Sequence, residues 1–222
     1  MKRPILLQGL FVAVLPVAFV SGLLVRPSQP ARSDPIAGSV DVVFVRDMAV
    51  HHAQAVDMSE RIRQRSTDPK LLLLATDIVL TQQNQIGRFA GWLEQWDLPI
   101  SAPVIAPGEV RAGTAMAGMS MNTETEATYT AKSGPGHSAM PGMATNAAVQ
   151  SISTLPVAEA EQQFLKLMIA HHQGGVTMAK SVLRHTKRRD VERIASSIVA
   201  GQQSEIQTMT AMLRARTNSV AK

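Results

Sequence analysis

Two stretches of the chain carry side chains that could hold a metal ion. Residues 44–58 read FVRDMAVHHAQAVDM, and residues 164–178 read FLKLMIAHHQGGVTM. Phe44, Met48, His51, His52, Val56 and Met58 recur as Phe164, Met168, His171, His172, Val176 and Met178, at a constant offset of 120. Neutral imidazole binds copper, zinc, nickel or iron, whereas a thioether selects soft ions, above all Cu(I). The chain has no cysteine, so any soft ligand here must be a methionine sulfur and no disulfide supports the fold. The candidate ligands are therefore His51, His52, His171 and His172, with Met48, Met58, Met168, Met178 and Met209 as thioether auxiliaries.

Helical spacing makes this set more than a coincidence of composition. At 100° per residue, Met48, His51, Ala55 and Met58 share one narrow stripe, and Met168, His171, Gly175 and Met178 share its counterpart. On the facing segments Gln82 and Gln202 fall where an amide could hold a ligand imidazole through its second nitrogen. Each assignment has a plainer competitor. Methionines at helical spacing also serve as core filler, a buried histidine can be satisfied by hydrogen bonds alone, and glutamine is a good helix former. Gly174 and Gly175 follow the second His pair where the first half has Gln54 and Ala55. Glycine costs about 1 kcal/mol inside a helix, so its use there predicts a close backbone approach or a kink.

The elements that must position these residues come from the same repeat. The register continues without a gap: Ala75, Ile78, Val79, Gln82, Gln83, Ile86 and Leu93 recur as Ala195, Ile198, Val199, Gln202, Gln203, Ile206 and Leu213. One supersecondary unit is used twice. Its first helix is expected from about Ser39, a plausible N-cap, to Arg65. Asp68 can cap the second helix with Pro69 in its first position, and apolar periodicity carries that helix to Trp96. The second copy gives helices over about 157–185 and 190–215. Two antiparallel hairpins bury their faces most simply on each other, as an all-α four-helix bundle with a long crossover. The chain thus divides into a segment 1–38, a first hairpin 39–97, a linker 98–156 and a second hairpin 157–222.

Residues 1–38 open with Lys2 and Arg3 before an apolar run from Ile5 to Val25. About 20 residues cross a bilayer at helical rise, and the positive flank predicts export of the rest. An uncleaved membrane anchor with a Pro/Ser-rich tether is the expectation, with signal cleavage and secretion as the alternative. The linker is rich in Gly, Ala, Pro, Ser and Thr and shows no periodicity, so it reads as flexible. It holds Met116, Met119, Met121, His137, Met140 and Met143, and thus five of the twelve methionines in a stretch with no evident core to fill. These are further candidate soft ligands.

Composition narrows the function. The net charge of +5 is carried partly by clusters at Arg61–Lys70 and Arg184–Arg193, without interleaved aromatics, which argues against nucleic-acid binding. Di-iron chemistry of the ferritin type needs Glu on two helices and Glu-x-x-His on two more. Met48 and Met168 stand where those carboxylates would precede His51 and His171. No nucleophile–base pair or phosphate loop is present either, and the chain does not read as an enzyme.

The motif Phe-x3-Met-x2-His-His, with Met six residues on, then Ala-x2-Ile-x3-Gln-x2-Glu-Ile-x2-Met and Leu, resembles the bacterial domain of unknown function 305 family. The resemblance covers residues 39–97 and 157–216. It implies a ferritin-like four-helix bundle, usually exported, with members linked to copper binding and copper resistance. The second repeat carries the fuller pattern, including Glu205 and Met209. The first has Gln85 and Phe89 at those positions, so if Glu205 supports a ligand the first half is the weaker or more structural one. The combined expectation is a membrane-anchored, extracytoplasmic protein that sequesters or transfers copper in copper tolerance. A copper-transfer partner or a homo-oligomer would be its protein partners. The alternative is a non-metal envelope interaction or structural module with the histidines as packing groups.

Overall fold

The computed structural model describes residues 34–101 and 140–220. Among them it forms five helices and no strand: α1 (Val40–Arg63), α2 (Pro69–Gln95), α3 (Asn146–Thr154), α4 (Val157–His185) and α5 (Arg189–Val220). Local chemistry sets the ends. Ser39 caps α1, its Oγ accepting from the Val42 amide, and Asp68 caps α2 by accepting from the amides of Lys70 and Leu71. Pro69 takes the first position of α2, where its missing N–H is no loss. α2 closes on Asp97, whose φ of 53° lets the Leu98 amide reach back to the Leu93 carbonyl at 2.9 Å.

α1 packs on α2 and α4 on α5, while α1 and α4 form the central contact between the two repeats. The apolar residues of this helical bundle fall into two cores. One gathers Val42, Phe44, Val45 and Met48 of α1 with Phe89 and Leu93 of α2, Met178 and Val182 of α4, and Val191, Ile194 and Ile198 of α5. The other gathers Ala55, Met58 and Ile62 with Leu71, Leu74 and Ile78, Phe164, Leu165 and Met168, and Met209. The beginning of α1 thus meets the end of α4, so the two repeats pack antiparallel. Between the cores each long helix contributes buried polar side chains: His51 and His52, Gln82 and Gln85, His171 and His172, and Gln202.

The expectation of an unstructured linker over 98–156 is corrected at its C-terminal end. Thr145 caps α3 by accepting from the Ala148 amide at 3.2 Å, and Val149 and Ile152 are buried in the second core. A nine-residue helix with two buried apolar anchors is too short to show periodicity in a Gly/Ala/Ser-rich stretch. Ahead of it, Met140-Pro141-Gly142-Met143 forms a turn closed by the Met143 amide on the Met140 carbonyl, with φ of 78° at Gly142. Proline then glycine at the central positions is the composition such a turn requires. The apolar run Ile5–Val25 lies outside the described residues. No helix among the described residues is long and apolar enough to cross a membrane.

Candidate metal centre

The four imidazoles sit at mid-helix on α1 and α4 and are fully buried. Where the central helices cross, the rings of His51 and His171 lie face to face, centroids 3.7 Å apart and planes inclined by 31°. His52 and His172 stand to either side, with ring centroids 6.5 Å from His51 and 6.3 Å from His171 respectively. The duplicated pairs have therefore converged on one place.

Three of the rings are held through Nε2. His51 Nε2 lies 3.1 Å from the Pro141 carbonyl oxygen, His52 Nε2 lies 2.6 Å from Gln85 Oε1, and His172 Nε2 lies 2.7 Å from Glu205 Oε2. Neither nitrogen of His171 makes a well-formed hydrogen bond, and Nδ1 of all four rings is buried without one. Burial disfavours the imidazolium and lowers the His51 pKa to about 4; the neighbouring His172 acts in the same direction, partly offset by the Pro141 carbonyl. Burial, then the proximity of His51, lowers His52 to about 3. His171 falls well below its ordinary value from burial and from the surrounding imidazoles. These three rings are neutral at physiological pH, the form that binds metals.

The Met140–Met143 turn is seated across the α1–α4 seam like a strap. Gln54 of α1 clamps it from one side: its amide nitrogen donates to the Ala144 carbonyl at 2.9 Å, and its oxygen accepts from the Ala144 amide at 2.8 Å. On α4, Gly174 leaves the space that the Pro141 carbonyl occupies, because a Cβ there would collide with that carbonyl and lie 2.8 Å from the Gly142 nitrogen. Gln54 and Gly174 are repeat equivalents, so the close approach expected at Gly174 is the seat of the strap. Gly175 makes room for the Gln202 side chain in the same way.

The candidate thioethers are divided. Met48 and Met178 share the first core with Met140, and Met143 packs against it. Met58, Met168 and Met209 lie in the second core. Antiparallel packing inverts the order of the repeats, which places Met48 with Met178 and Met58 with Met168. Met140 is only 8% exposed, so the argument that the linker methionines have no core to fill is overturned for that residue. Met116, Met119, Met121 and His137 lie outside the described residues. The supporting role expected of Gln82 and Gln202 is also corrected. Both amides are buried without hydrogen bonds, while Gln85 and Glu205, one turn further along, hold the outer imidazoles. Glu205 was legible from the sequence. Gln85 was missed as a holding group, although it is the repeat equivalent of Glu205, and so was the Pro141 carbonyl.

Chemically the arrangement offers buried imidazole nitrogens, with the Glu205 carboxylate hydrogen-bonded to one of them and methionine sulfurs in the cores to either side. Among the described residues no three His, Asp or Glu side chains converge as a ready-made set. A cation held here would take imidazole nitrogens first and complete its shell with softer donors. The orphaned Nδ1 atoms and the donor types fit a soft monovalent ion better than a hard one.

The family model described as domain of unknown function (DUF305) matches residues 41–213. A DUF305 protein of Streptomyces coelicolor, provisionally described as secreted, is 36% identical with a TM-score of 0.65, over 82% of this chain and 96% of that one. CopM in its Cu(II)-bound form is 26% identical with a TM-score of 0.55, over 77% and 93% of the two chains. An uncharacterized protein, L153, of Acanthamoeba polyphaga mimivirus is 38% identical over 55 residues, 25% of this chain and 36% of that protein's length. The chain thus spans about a third of that viral relative. This chain belongs to the DUF305 family.

Proposed function

We propose that this member of the DUF305 family is an extracytoplasmic binder of soft metal ions that takes up copper, Cu(I) in particular, between its two repeats and sequesters it or passes it on. The observation that carries this reading is the His51–His171 pair: two buried imidazoles with ring centroids 3.7 Å apart, contributed by opposite repeats, with neither nitrogen of His171 in a well-formed hydrogen bond and the His51 backbone approaching its ring. Burying polar groups without partners costs several kcal/mol, which a purely structural core would avoid by using leucine. Met48, Met178 and Met140 supply thioethers from the adjoining core, and Met58, Met168 and Met209 from the opposite one. The likeness to CopM, which has a Cu(II)-bound form, supports the choice of metal, and the apolar run 5–25 supports export. We assign binding rather than catalysis.

A second reading keeps the histidines as packing groups of an envelope interaction module. It is favoured by the protein acceptors already in place for His51, His52 and His172. Competition of the purified chain with a Cu(I) chelator separates the two. The metal reading predicts Cu(I) retention that falls at least tenfold in a His51→Ala/His171→Ala variant. Equal retention by both proteins, or none by either, favours the packing reading.

A further inference from the structure

Among the described residues, the acceptors that hold His51, His52 and His172 all meet the same ring atom. The Pro141 carbonyl, Gln85 Oε1 and Glu205 Oε2 all face Nε2 of their respective rings, and none faces Nδ1. They come from three different elements: the strap, α2 and α5. Gln85 and Glu205 are repeat equivalents, so the same contact is made twice by the duplicated unit. The third is made once, and only because Gly174 leaves room for the Pro141 carbonyl.

A neutral imidazole carries one N–H and one lone pair. A carbonyl or carboxylate oxygen can only accept, so the nitrogen facing it must be the N–H. This makes Nε2 a protonated atom in His51 and His172, and the Gln85 amide, placed with its oxygen toward His52 Nε2, matches the same tautomer there. In a neutral ring the lone pair is then left on Nδ1, the atom that is buried and without a hydrogen bond in all four rings.

We infer that the metal ion is taken by Nδ1, and that the Pro141 carbonyl, Gln85 and Glu205 are positioning groups that hold Nε2 protonated and so present the Nδ1 lone pairs. The inference rests on the metal-binding reading above and adds to it the ligating atom and the residues that select it. His171 differs: no side chain holds its Nε2, and the group that approaches its ring is the backbone of His51 on the facing helix. Groups on the far nitrogen of a ligand imidazole fix its orientation and raise its basicity. A carboxylate does so more strongly than an amide, so His172 is the better donor of the two outer rings.

The test is nitrogen NMR of the full chain labelled with 15N-histidine, before and during titration with Ag(I), a diamagnetic soft ion. The expected result is a protonated Nε2 in His51, His52 and His172 of the free protein, with Ag(I) shifting Nδ1 while the Nε2 proton persists. A shift at Nε2 with loss of its proton overturns the ligand assignment and leaves metal binding intact. No shift at any ring nitrogen overturns the metal-binding reading and the assignment with it. Glu205→Leu and Glu205→Gln test the positioning role, at a side chain that is 22% exposed. His172 should become a tautomer mixture in the first variant and keep its Nε2 proton in the second. An unchanged His172 in Glu205→Leu overturns the role given to Glu205.

Discussion

Replacing Gly174 with alanine tests whether the strap is seated as described. A Cβ at this position would collide with the Pro141 carbonyl, and the obstacle is backbone on both sides, so no side chain can swing away. The strap must lift. Lifting it breaks the His51–Pro141 hydrogen bond and strains or breaks the two between Gln54 and Ala144. Each contributes a net 0.5–1.5 kcal/mol or so. It also exposes part of Met140, whose full burial stabilises by about 1.5–3 kcal/mol. Against this, alanine gains about 1 kcal/mol over glycine inside a helix. The balance is a net loss of about 3 kcal/mol. Gly201 is the control: it is also helical, and a Cβ there would meet nothing within 4 Å, so Gly201→Ala should stabilise by up to about 1 kcal/mol. Urea unfolding of the two variants beside the parent protein reads both signs. A Gly174→Ala protein as stable as the parent would refute the seating of the strap on α4.

Acid should unfold the metal-free protein early. The native pKa values of His51 and His52, about 4 and about 3, lie below the ordinary 6.5, so the native state binds fewer protons than the unfolded chain. Their contribution is fully present above pH 6.5 and is lost as pH falls through the window down to about 4 and 3. At about 1.4 kcal/mol per unit, His51 alone withdraws about 3 kcal/mol over that range. Urea midpoints measured between pH 7 and 5, above the range where most carboxylates titrate, should decline, and a flat profile contradicts the buried neutral rings. Gln82→Leu and Gln202→Leu should each raise the unfolding free energy by about 1 kcal/mol, because each removes a buried amide with no hydrogen bond. Destabilisation in both variants would mean that these amides are satisfied.

The sequence disclosed the four long helices through their apolar periodicity, and the starts of α1 and α2 through strong local signals as well. Ser39, and Asp68 with Pro69, are caps whose chemistry acts within a turn, and the apolar periodicity between them is long. α3 stayed hidden because its stability comes from Val149 and Ile152 docking on distant helices. The His pairs were legible because duplication repeats them in register. Their hydrogen-bond partners were not, since the choice between Gln82 and Gln85 depends on how α2 is rotated against α1. The repeat offset linking Gln85 to Glu205 was the available clue. The division of the methionines between two cores was hidden for a related reason: one helix stripe contains both Met48 and Met58, and only antiparallel packing of the repeats separates them. Nothing local in the linker indicated that the Pro141 carbonyl would meet a histidine 90 residues earlier.

X-ray absorption at the copper edge of the Cu(I)-loaded protein tests the central claim most directly. Since the chain lacks cysteine, any sulfur bound to the metal must be a methionine thioether. The account predicts a shell of imidazole nitrogen together with sulfur, with the nitrogen component lost in the His51→Ala/His171→Ala variant. A shell of oxygen alone, or one identical in the parent and the double variant, would contradict it.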